Sequence, residues 1–163
     1  MKINKELTKR VIFGILVIVW MVVIFCFSSE QSTKSSNTSQ KVIKSGLNQI
    51  KSFKEMEEPK QNELVENLQH PTRKLAHFTI YAIGGLIIFN FVNTFNISVR
   101  KKIALTILIG LLYASTDEIH QLFTDGRSGQ ITDVFIDTSG VCFGLILMYL
   151  LNRLKLNNRK KVK

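Results

Sequence analysis

Asp117-Glu118-Ile119-His120-Gln121, then Gly126-Arg127, Asp133 and Asp137, are the residues of this chain best suited to chemistry. Carboxylates and an imidazole can move protons, and an arginine beside them can steady a developing negative charge. Nearer the N-terminus, Arg73, Lys74, His77 and Tyr81 add two cations, a second imidazole and a phenol. Both groups lie in or beside long apolar runs. Ionisable residues in a membrane segment are costly, face a bundle interior and mark function by default.

The elements that must position them follow from the apolar runs. Residues 11–27 carry no charge, and about 17–25 such residues span a bilayer core as a helix. Further runs cover about 73–93, 103–122 and 131–151, so the expected fold is an all-α membrane protein with four transmembrane helices. One domain covers residues 1–163, with an outer segment over 28–72. Basic residues before the first run and polar ones after it would also suit a signal peptide, but Phe25-Cys26-Phe27 offers no small-residue cleavage site. A retained helix is expected. Cys26 and Cys142 sit within apolar runs as small hydrophobes, with neither a disulfide framework nor zinc spacing.

Steps of three and four put the polar residues on helix faces. The second span presents Lys74, His77, Tyr81 and Gly84 or Gly85; the third presents Gly110, Tyr113 or Ala114, Asp117 and Gln121, with Glu118 beside them. The fourth presents Asp133, Asp137, Gly140 and Gly144. Small residues let membrane helices approach closely, so these faces are expected to meet. His77, Asp117, Glu118, Gln121, Arg127, Asp133 and Asp137 should then surround one outward-opening pocket, with Arg73, Lys74, Tyr81 and His120 available to a ligand. Taken singly, Arg73 or Lys74 can be a snorkelling anchor, His77 a packing residue, and Asp133 or Asp137 bundle glue paired with Arg73 or Arg127. As a set they exceed what glue requires, because buried ion pairs stabilise poorly compared with apolar replacements.

The net charge of +10 is distributed by side. Lys2, Lys5, Lys9 and Arg10 precede the first span; Arg100, Lys101 and Lys102 lie between the second and third; Arg153, Lys155, Arg159, Lys160, Lys161 and Lys163 follow the fourth. With four spans these clusters share one face, which the positive-inside rule makes cytoplasmic, together with both termini. Such clusters suit anionic lipid, and nucleic acid is not an expected partner. In the outer segment, residues 28–40 read as an exposed polar loop. Val42, Ile43, Leu47, Ile50, Phe53, Met56, Leu64, Val65 and Leu68 then recur at helical spacing, interrupted by Pro59. This predicts two short amphipathic helices, lying in the interface or packed on the bundle as a cap. Pro71 is expected to open the second span.

The motif set Arg73-Lys74-Leu75-Ala76-His77-Phe78 with Tyr81, Asp117-Glu118-Ile119-His120-Gln121, Gly126-Arg127, Asp133-Val134, Asp137 and Gly140 resembles the VanZ-like family, as does the Phe27-Ser28-Ser29-Glu30-Gln31 exit with Ser32, Ser35 and Ser36. The resemblance runs from the first span to the fourth. It implies a small multi-pass protein of the bacterial cell membrane, related to one associated with teicoplanin resistance, whose polar cluster meets lipid head groups or lipid-linked wall precursors.

Three functions compete at the level of sequence. An enzyme would use His77, Asp117 or Glu118 as base, with Arg127, Arg73 and Lys74 clamping a phosphate. Asp133 and Asp137 would orient the histidine or hold a divalent cation through oxygen. No other cofactor is expected. A non-catalytic binder would sequester a precursor or a lipophilic antibiotic. An ion-coupled transporter is third, because the polar residues crowd one face.

Overall fold

The computed structural model describes residues 5–30, 32–127 and 129–161, all in helices and short connections. Lys2, Gln31 and Lys163 lie outside the described residues. Six helices follow in order: α1 (Lys5–Ser28), α2 (Ser32–Leu47), α3 (Lys51–Lys54), α4 (Glu58–Asn93), α5 (Val99–Gln121) and α6 (Ile131–Lys161). Four of them, α1, α4, α5 and α6, are long and apolar enough to cross a membrane. Their outward faces bear large hydrophobes, such as Ile15, Ile18 and Val22 on α1 and Phe135, Phe143 and Ile146 on α6, all more than half exposed. An apolar surface of that extent would be a liability in water and is the expected lining toward lipid.

The core is narrow. Trp20, Ile24, Tyr81, Ile88, Val92, Ala114 and Val141 are buried where α1, α4, α5 and α6 meet. Close approach of α4 and α6 depends on glycine. A Cβ at Gly144 would fall 1.9 Å from the Ala82 carbonyl oxygen, and one at Gly140 would fall 2.4 Å from that of Phe78. Backbone cannot yield as a side chain can, so these two positions set how near α6 comes to α4. Trp20 ties α1 to the bundle by donating from Nε1 to the Ile80 carbonyl at 2.9 Å, and the Tyr113 hydroxyl donates to the Met21 carbonyl.

Helix α4 departs from expectation. It begins at Glu58, with Pro59 in its first turn, and runs through Pro71 without ending. Proline suits a first turn, so Pro59 is the start signal and Pro71 is not. Pro71 is exposed, so solvent can take the place of the backbone donor it lacks. A helix of 36 residues is about 54 Å long against a hydrocarbon core of about 30 Å. Its first turns therefore project beyond the span. There they pack with α2 and α3 around Ile43, Phe53 and Val65, flanked by Leu47, Leu64 and Leu68. Of the two arrangements open at the level of sequence, this is the cap. The polar stretch expected as a loop is helical from Ser32 onward.

Candidate functional site

The polar stripes of α4, α5 and α6 converge at the end of the bundle beneath the cap. His77 Nδ1 on α4 lies 3.4 Å from Asp137 Oδ1 on α6, and Lys74 Nζ lies 3.2 Å from Asp133 Oδ1 one turn nearer the mouth. These pairings differ from Arg73 or Arg127 as partners of the aspartates. Asp133 and Asp137 share a face of α6 but not an environment. The Asp133 side chain is about a quarter exposed, whereas Asp137 is completely sealed. Among the described residues, neither carboxylate oxygen of Asp137 has a well-aligned hydrogen bond, and His77 at 3.4 Å is its ion-pair contact. The Tyr81 hydroxyl is likewise buried without a well-aligned hydrogen bond among the described residues. One ligand atom each from His77, Asp117 and Asp137 lies within 4.8 Å of the others, so three helices present these groups to a common point.

Glu118 and Gln121 brace the same end. Gln121 Nε2 donates to Asp117 Oδ2 at 3.3 Å and to Glu118 Oε1 at 3.2 Å, while Glu118 Oε2 accepts from the Gln130 backbone N–H at 2.8 Å. Glu118 thereby fixes the turn between α5 and α6. Gly126 in that turn has φ 72°, the left-handed region that glycine reaches without strain. Glu118 is thus occupied as a turn clamp, which makes Asp117 and His77 the better placed bases.

Arg127 has a specific local task. Its Nε donates to the Glu30 carbonyl at 3.0 Å and its Nη2 to the Phe27 carbonyl at 3.1 Å. These carbonyls lie at and just beyond the C-terminal end of α1, where a cation is favoured. Burial, with the Arg73 charge second, lowers the proton affinity of Arg127, while Asp117, Glu30 and Glu118 act the other way. The guanidinium keeps its charge regardless. His120 faces α1 instead of the pocket: it stacks on Phe25 at 4.6 Å and its Nε2 lies 3.1 Å from Ser29 Oγ.

Two adjoining cavities open here. The first, about 100 Å³, is polar and lined by His70, Arg73, Lys74, His77, Gln121, Gly126, Arg127, Gln130, Asp133 and Ile136. The second, about 310 Å³, is a mainly apolar groove. Ile24, Phe27, Val42, Ala76, Ile80 and Tyr81 line it, and Ser28, Thr38, Ser39, Arg73, His77, Asp117 and Arg127 lie at its polar margin. Arg73, His77 and Arg127 border both.

Several of these residues escaped the sequence reading. His70 continues the α4 stripe through Arg73, Lys74 and His77, a signal hidden by placing the helix start at Pro71. Gln130 carries no sequence signal, because only the tertiary turn aims it. The α2 residues Thr38, Ser39 and Val42 enter the groove wall only because the cap folds over α4.

A family model described as VanZ/LLP1 matches residues 13–152, while no curated protein and no solved structure matches the chain. That match takes in the second and third spans, most of the first and fourth, and every residue of the polar end from Ser28 to Asp137. The chain belongs to the VanZ/LLP1 family, as a membrane protein of four apolar helices.

Proposed function

We propose that this protein binds and acts on an anionic head group carried by a lipid tail, at the outer face of a bacterial membrane. The ligand is a membrane phospholipid or a lipid-linked cell-wall precursor, and the action contributes to glycopeptide resistance of the teicoplanin type. One observation carries this: Arg73, His77 and Arg127 border a polar cavity and an apolar groove at once. An amphiphile with an anion at the junction satisfies both, with the cations on phosphate and the chain against Phe27, Val42 and Ile80. His77 and Asp117 are placed to act as base toward that head group. Holding the ligand without chemistry is the second reading, favoured by the use of Arg127 to bind α1 carbonyls. An ion path has less support, since the buried residues deeper in the bundle, Ile88, Phe89, Val92 and Leu145, are apolar and the buried Thr106 is uncharged.

The experiment is mass spectrometry of lipids retained by the detergent-purified protein, alongside membranes with and without the gene. The expected result is enrichment of one phosphate-bearing lipid over its share of the bulk membrane. Phospholipid and polyprenyl-linked precursor separate by mass, and a chemically altered head group in gene-bearing membranes marks an enzyme. Retained lipid that merely mirrors the bulk membrane would sink the proposal.

The proposed orientation places both termini in the cytoplasm, on the side of Arg10, Lys102 and Arg153. It is checked with single cysteines at Lys51 and Lys101, both exposed, after replacing Cys26 and Cys142 by Ala. An impermeant maleimide should label position 51 in intact cells and position 101 only after permeabilisation. The reverse pattern rejects the orientation.

A further inference from the structure

The sealed carboxylate of Asp137 does not touch a head group directly, because it lines neither cavity. It is wholly buried inside a span, both oxygens lack well-aligned hydrogen bonds among the described residues, and its nearest cationic partner is a histidine that need not be charged. A carboxylate sealed from water is costly, and structures reconcile it by pairing or by metal coordination; here the one contact is the 3.4 Å approach of His77. A lysine or arginine from a neighbouring helix would have been the simple partner. Lys74, one turn away, is engaged with Asp133 instead.

The geometry points to a divalent metal ion as the missing partner: we propose that His77, Asp117 and Asp137 hold one divalent transition-metal ion between α4, α5 and α6. Three observations converge on it. The ligand atoms lie within 4.8 Å of one another, and an ion with bonds of about 2.1 Å needs its ligands about 3–4 Å apart, which small side-chain rotations achieve. Each ligand comes from a different helix, on backbone held by the Gly140 and Gly144 approach, so the set is preorganised. Gln121 orients Asp117 from outside the ligand set, as carboxylate ligands of metals are commonly oriented.

One imidazole with two carboxylates suits Zn²⁺ or Mn²⁺ better than Ca²⁺ or Mg²⁺, which favour oxygen alone. Held as ligands, His77 and Asp117 would no longer serve as bases themselves, but three protein ligands would leave a coordination position open, as in catalytic and not structural zinc sites. His77 borders both cavities, so the open position would face the junction where the anionic head group is placed. That orientation rests on the proposed function; the ion site itself does not.

The test uses full-length protein in detergent, stripped with chelator and titrated with Zn²⁺ or Mn²⁺ alone, the bound ion being counted by elemental mass spectrometry. Wild type should retain about one ion per chain, while Asp137→Asn and Asp117→Asn should each lose it. Asp133→Asn, at the mouth and outside the ligand set, should retain it. Failure of wild type to hold either ion, or full retention by Asp137→Asn, overturns the site. Should the variants fail to fold, X-ray absorption of zinc-loaded wild type decides. A shell of oxygen and one imidazole supports the assignment, and sulfur or several imidazoles refutes it. Because no lipid is present, failure here leaves the head-group proposal standing, and failure of lipid retention leaves the ion count standing.

Discussion

Replacing Asp137 by asparagine is expected to weaken retention of the anionic lipid by about tenfold or more, through loss of the divalent ion proposed to face the head group, while the protein accumulates in the membrane at near wild-type amounts. The two effects together are diagnostic. If Asp137 were glue paired with His77, removing one partner of a buried pair would cost about 3–5 kcal/mol and deplete the folded protein. The side chain, however, has only the poorly aligned 3.4 Å contact with His77 to lose, and an asparagine oxygen can keep it. Asparagine keeps its volume, and His77 can remain neutral, so no stranded charge results. The change in stability should stay within about 1 kcal/mol. The measurement is lipid retained per folded molecule, with membrane abundance determined in parallel and teicoplanin susceptibility as the cellular readout. Wild-type retention per folded molecule would mean that the sealed end of the bundle takes no part in holding the head group.

The second large effect is expected at Arg127. Arg127→Lys should weaken lipid retention by about tenfold and also speed backbone amide exchange around Phe27–Glu30. Both follow from shape, since the charge is unchanged. The guanidinium reaches the Phe27 and Glu30 carbonyls with separate nitrogens and still borders both cavities. An ammonium is a point charge and cannot reproduce that fork. A hydrogen bond from a charged group contributes about 1.5–3 kcal/mol, and losing one shifts an equilibrium about tenfold or more. Native mass spectrometry with added phospholipid reads the first effect and hydrogen exchange the second. Faster exchange with unchanged lipid binding would confine Arg127 to tying α1. Unchanged values of both would contradict the contacts that define the residue.

Asp133 and Asp137 show how far each level of description reaches. They lie four residues apart on one face of α6, with the same chemistry, Asp133 in the first turn and Asp137 one turn deeper. The sequence shows that order but not which partner each one meets. In the fold one sits at the mouth against Lys74 and the other is sealed against His77, because Gly140 and Gly144 bring α4 onto α6 just below Asp137. Depth and rotation are properties of the helix pair and not of either helix. The same holds for Arg127, whose two acceptors are about a hundred residues away on α1, and for His120, which turns to Phe25 although it stands beside Glu118 and Gln121.

The membrane class, the four spans and the stripes that gather the polar residues at one end were legible in the chain. A bilayer demands long uncharged runs, and a helix repeats its faces every three or four residues. Those constraints are local and leave their mark in order along the sequence. The continuity of α4 through Pro71, the cap that forms the groove wall, and the convergence of His77, Asp117 and Asp137 were decided by tertiary packing. Each depends on which backbone groups and side chains stand across from one another, and local pattern does not encode that.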